Sequence, residues 1–152
     1  MDIRVATLED AAAILDLVPR LSCSGAPPWR DMAEMIAADA RAVLGTLEQG
    51  TADSQVLVAE RAGTVLGFIH LMTETDYYTG QSVGHIADLA VAAEAEGLGI
   101  GRAMMAAAED WARHHGYSAM TLNVLVHNAR ARGLYEKLGY GAEWVKYLKP
   151  LR

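Results

Sequence analysis

At 152 residues the chain has the length of one domain, and 52% hydrophobic against 21% charged residues is enough apolar material for a core, which excludes a disordered protein. A net charge of −6 argues against nucleic acid as a partner and leans weakly towards cationic substrates. No apolar run approaches the roughly 20 residues needed to cross a bilayer, Met1-Asp2-Ile3-Arg4 does not read as a secretory leader, and the lone Cys23 fits a reducing, cytoplasmic setting.

In chain order, residues 3–6 predict a short strand. Thr7 with Asp10 reads as a variant capping box, and Ala11, Ile14, Val18 and Leu21 then keep helical spacing. Ser22 to Pro28 breaks that helix, and a second amphipathic helix carries Met32, Met35, Ile36, Val43 and Leu47 on one side. Runs 56–59 and 65–71 are β-rich and joined through Arg61-Ala62-Gly63, a predicted hairpin. A loop bearing Tyr77 and Tyr78 leads to a strand over 85–91, then to a glycine-rich turn and a helix with Ile100, Met104, Ala107 and Trp111 on one face. A strand over 120–126, a helix over 128–138 stopped by Gly139, and a closing strand over 144–148 complete the chain. Strands, a crossover helix and a further strand predict a mixed α/β sheet with helices on both faces, in a single domain over 1–152.

The most informative stretch is Glu96-Gly97-Leu98-Gly99-Ile100-Gly101-Arg102-Ala103. Three alternate glycines between a strand and a helix let backbone N–H groups approach a ligand at the positive end of the helix, where a pyrophosphate is the natural occupant. A Walker loop would need Lys and Ser or Thr where Arg102-Ala103 stands, and G-x-G-x-G is not the G-x-G-x-x-G of a dinucleotide fold.

The stretch resembles motif A of the GNAT family of N-acetyltransferases, Q/R-x-x-G-x-G/A after a strand. Asn128-Ala129-Arg130-Ala131-Arg132-Gly133-Leu134-Tyr135-Glu136-Lys137-Leu138-Gly139-Tyr140 resembles that family's N-x-x-A-x-x-L-Y-E-K-L-G-F segment, and Ile3-Arg4-Val5-Ala6-Thr7 with Asp10 its opening. The resemblance spans the chain and implies the GNAT fold: a mostly antiparallel central sheet with a splayed parallel strand pair. It implies acetyl-CoA as cofactor, its pyrophosphate on Glu96 to Ala103, its pantetheine arm along Leu89, Ala90 and Val91, and a contact with Asn128. A backbone N–H near Leu89 or Ala90 is expected to polarise the thioester carbonyl. Glu96 departs from the usual Gln or Arg, a change expected to weaken phosphate binding slightly. Arg102, Arg130 and Arg132 are further phosphate candidates.

The resemblance makes Tyr135 the acid that protonates the departing thiolate, a role a phenol near pKa 10 fits chemically. It also makes His85 the candidate base, and imidazole titrates in the useful range. Asp88, a charge inside an apolar strand, is the rival base or an ammonium-binding group. Strict alternation puts His85 and Asp88 on opposite faces unless a bulge intervenes. Trp29, Tyr77 and Tyr78 are candidate substrate-lining residues. Five histidines and one cysteine show no metal-ligand spacing, so no metal is expected. The expected function is acetyl transfer from acetyl-CoA to a primary amine, of a small molecule or a peptide, in a ternary complex. A non-catalytic acyl-CoA-binding module of the same fold is the alternative. The expected partners are that amine and, by analogy, a second copy in a homodimer, with neither nucleic acid nor membrane.

Overall fold

The computed structural model describes residues 1–152. Strand β1 (Asp2–Val5) leads through a 3₁₀ turn into helix α1 (Ala11–Leu17), which tightens into a second 3₁₀ stretch, Val18–Ser22, where Pro19 removes a helical donor. Helix α2 (Met32–Gln49) is capped by Asp31, whose carboxylate accepts from the Glu34 N–H at 3.0 Å. Then come β2 (Gln55–Arg61), β3 (Thr64–Thr75), β4 (Ser82–Val91), α3 (Ile100–His114), β5 (Met120–Leu122) and α4 (Ala129–Lys137). The Asp10 carboxylate accepts from Thr7 N–H at 2.8 Å and from both terminal nitrogens of Arg4, closing the start of the chain onto β1.

The five strands lie in the order β1-β2-β3-β4-β5. The first four form an antiparallel meander, and α3 is the crossover that brings β5 in parallel beside β4. Helices cover both faces, as expected. A Cβ on Gly67 of β3 would lie 2.8 Å from Met104 of α3, so that face belongs to α3. His70, three residues on and on the opposite face, touches Thr46 of α2. Phe68, Ile69, Leu71, Ile100, Met104, Met105 and Val43 are fully buried and make the core on the two sides of the sheet. No helix is long and apolar enough to cross a membrane.

Three expectations change. The strand expected over 120–126 ends at Leu122, because beyond Ile86 and Leu122 the strands β4 and β5 part. The strand expected from 85 begins at Ser82, so His85 lies inside it rather than at its end. The closing strand over 144–148 does not form: residues 141–152 adopt no regular element. Their apolar residues come in adjacent pairs, Trp144-Val145 and Tyr147-Leu148, which a strand would send to opposite faces. Trp144 instead stacks on Tyr78, ring centroids 5.9 Å apart.

Candidate active site

The parting of β4 and β5 is the first feature of the site. β4 pairs with β3 along its whole length but with β5 only from Gly84 to Ile86. The Ala92 N–H bonds the Leu66 carbonyl at 2.8 Å, which sets the parity of the ladder. Ala90 is therefore tied to β3, while Leu89 and Val91 turn their backbone groups to the open side. Of the two donors expected for a thioester carbonyl, the geometry offers Leu89.

The second feature lies at the end of β4. No backbone N–H from Gly97 to Arg102 has an acceptor within the chain; the first bond of α3 runs from Ala103 N–H to Gly99 C=O, 3.0 Å. Gly97 and Gly99 hold φ of +78° and +79°, a left-handed conformation that favours glycine, and a Cβ on either would meet nothing within 4 Å. The loop is thus a nest of donors opening onto free space, matched to an anion. Gly101 needs no such freedom, since a Cβ there makes only ordinary contact with Leu134 and Val91.

Glu96 is more engaged than its sequence position suggests. Its carboxylate bridges Arg20, from the 3₁₀ stretch after α1, and Arg130 of α4, at 2.8 Å to the latter. Arg20 also donates to the Val91 carbonyl at 3.2 Å. The hydrogen bond from Arg130 leads the causes that hold the Glu96 carboxyl below its usual range. Arg132 is occupied by the Val126 carbonyl, while Arg102 is exposed and makes no ion pair or hydrogen bond through its side chain. Asn128 caps α4, accepting from Ala131 N–H at 3.2 Å.

The third feature is a cluster of titratable side chains on the α2 face of the sheet. On β3, His70 and Leu71 face Asp88 and Ile86, so Ala87 is an extra residue on β4. That bulge brings His85 and Asp88 to the same face. His85 is 7% exposed. Its Nδ1 lies 2.8 Å from Thr121 Oγ1 and 3.4 Å from the Glu74 carboxylate. The Thr121 hydroxyl donates to the Gly84 carbonyl and the carboxylate only accepts, so Nδ1 carries the proton and Nε2 keeps its lone pair. Nε2 makes no hydrogen bond in the chain. Burial pushes the imidazole below its usual value, partly offset by Glu74 and Asp88.

Asp88 is central to the cluster. Its Oδ2 lies 3.4 Å from His70 Nδ1. Its charge, second to burial, helps raise the carboxyl of Asp39, on α2, to about 6. Burial and then Asp88 push the Tyr135 phenol above its usual value, which keeps it protonated near neutrality. The Tyr135 hydroxyl makes no hydrogen bond in the chain, and its ring packs edge-on to Tyr140 at 6.3 Å. Trp29, Tyr77 and Tyr78 are exposed, and none shares a hydrogen bond, ion pair or ring contact with His85, Asp88 or Tyr135. Sequence reasoning missed His70, Asp39, Glu74, Thr121 and Arg20. His70 alone had a signal, as a polar residue inside an apolar strand.

A sheet that opens beside a nest of anion-binding donors, with histidine, carboxylate and tyrosine on the adjoining face, has the architecture of an acyl-transfer enzyme. The chain belongs to the acetyltransferase (GNAT) family, whose model matches residues 25–140, and it is an acetyltransferase. It is 32% identical over 140 residues to an uncharacterized N-acetyltransferase, YhfO, of Bacillus subtilis (strain 168), covering 92% of this chain and 89% of the relative. The solved structure of a proposed acetyl transferase from Pyrococcus furiosus matches with a TM-score of 0.78 and 26% identity over 99% of this chain and 100% of that one. An aminoglycoside N-acetyltransferase solved in complex with CoA has the same fold, with a TM-score of 0.74 and 18% identity over 99% of this chain and 95% of that one.

Proposed function

We propose that the protein transfers the acetyl group of acetyl-CoA directly to a primary amine in a ternary complex, acting as a single cytoplasmic domain. The observation that carries this is the run of acceptor-less N–H groups from Gly97 to Arg102 at the open end of β4. Bound acetyl-CoA would supply an activated acyl thioester. The loop N–H groups, with Arg102, fit its pyrophosphate, and the outward backbone of Leu89, with the Val91 N–H, fits its amide-bearing arm. Asp88 binds the acceptor ammonium, His85 Nε2 takes its proton, and the Tyr135 hydroxyl gives a proton to the leaving thiolate.

A buried imidazole whose Nε2 is unprotonated is a base over more of the pH range than a free one. The rate with a saturating amine is therefore expected to rise with pH through a value below the usual imidazole value of about 6.5. In His85→Ala that limb vanishes and the residual rate follows the amine's own ionisation. Asp88→Asn is expected to raise KM for the amine and to keep the limb, displaced to lower pH because the Asp88 charge no longer supports the imidazolium. A limb that survives in His85→Ala but is lost in Asp88→Asn would reverse the two roles.

Glu96 sets a second expectation. Its carboxylate neutralises Arg20 and Arg130 beside the phosphate loop. Glu96→Gln removes a negative charge from the path of an anionic ligand and releases both arginines. Calorimetry should therefore show CoA bound several-fold more tightly, with a steeper dependence on salt. Weaker binding by Glu96→Gln would mean that the bridge matters more for holding the loop than for its charge.

A further inference from the structure

His70 is buried inside β3, 1% exposed, where an apolar side chain would ordinarily stand. Burying an imidazole is tolerable only if both nitrogens are bonded, and here both are. Nε2 lies 2.7 Å from Thr46 Oγ1 of α2, and Nδ1 faces Asp88 Oδ2 at 3.4 Å. The carboxylate accepts only, so Nδ1 carries a proton and Nε2 accepts from the Thr46 hydroxyl. Three elements, α2, β3 and β4, thus converge on one carboxylate. Asp88 Oδ1 makes no hydrogen bond in the chain, and no buried side-chain oxygen or nitrogen lacks a partner, so that oxygen is open to a ligand.

We propose that His70 is a positioning residue for the acceptor amine: anchored by Thr46, it holds the Asp88 carboxylate on the face that carries His85, leaving one oxygen free for the ammonium. This rests on the reading of Asp88 as the ammonium-binding group. Other charged or titratable groups bear on the same carboxylate: Asp39 from α2, His85 beside it on β4 and Tyr135 from α4. Without His70 no side chain fixes the torsion of Asp88, and the approach of the amine is no longer directed. The Ala87 bulge supports this role, because it is what turns Asp88 towards His70 and His85 together.

The test uses the full chain and two readouts. Long-range proton–nitrogen NMR of the histidine side chains should show the Nδ1–H tautomer for His70 in the wild type, and in Thr46→Val the Nε2 resonance should shift as its hydroxyl donor is lost. Kinetics would use acetyl-CoA with whichever of 1,4-diaminobutane, tyramine, lysine and an alanine-terminated tripeptide the wild type acetylates fastest. In His70→Phe and Thr46→Val, KM for that amine should rise roughly 10-fold, the loss of one hydrogen bond to a charged group, while kcat stays close to the wild-type value. His70→Asn, whose amide can donate to Asp88, and Thr46→Ser, which keeps the hydroxyl, should restore most of the loss. In an Asp88→Asn background, His70→Phe should add nothing. An undiminished effect in that background, a His70→Asn no better than His70→Phe, or an Nε2–H tautomer in the wild type would overturn the proposal. If His70→Phe does not fold, Thr46→Val carries the same comparison. An Asp88→Asn that leaves KM unchanged would instead refute the reading of Asp88 itself.

Discussion

Tyr135→Phe should lower turnover by about 10²–10⁴-fold with a saturating amine while leaving the fold intact, the loss typical when a positioned general acid is removed. The substitution keeps the ring and its edge-on packing against Tyr140 and deletes only a hydroxyl that bonds nothing in the chain. Stability has no reason to change. The phenol sits above its usual value because of burial and the Asp88 charge, so it is a protonated donor across the working range. Weaker leaving groups suffer most from losing an acid, so an acyl donor with a more acidic thiol should lose less. Turnover equal to the wild type would remove Tyr135 from the reaction and leave water as the donor.

Gly99→Glu should abolish CoA binding. Gly99 caps α3 at φ +79° within the run of unpaired N–H groups, and a Cβ there would enter open space. An L-residue there strains the backbone by roughly 1–2 kcal/mol, and the carboxylate sets a negative charge where an anion should lie. Gly99→Ala separates the two effects, because it brings the strain without the charge and its Cβ meets no atom of the chain. Calorimetry should therefore find Gly99→Ala weakened and Gly99→Glu silent, with both showing wild-type circular dichroism. Unchanged CoA affinity in Gly99→Glu would remove the loop from the cofactor site.

What the sequence disclosed were features whose cause is local. The glycines at 97 and 99 announce a tight turn, Gly139 announces the stop of a helix, and the apolar spacing of α3 announces a buried face, and all three stand in the structure. What it hid depends on register. Whether His85 and Asp88 share a face turns on one extra residue, Ala87, which is defined only by the strand opposite. His70 becomes informative only once it is paired with Asp88, and Thr121 only once β5 is set beside His85. Arg20 and Glu96 are 76 positions apart, and no spacing rule joins them. The 144–148 segment misled because its residue types favour strands while their order does not alternate.

The central claim is direct acetyl transfer to an amine, and its most direct measurement is a matched product balance. The purified chain would be mixed with acetyl-CoA, with and without each amine of a panel, and both free CoA thiol and acetylated amine would be quantified by mass spectrometry. Release of CoA only when an amine is present, equal in amount to the acetylated amine and with no acetylated protein at any time, is the predicted result. Tight binding of acetyl-CoA with no amine-dependent release across the panel, or an acetylated protein that forms before the product, would contradict it.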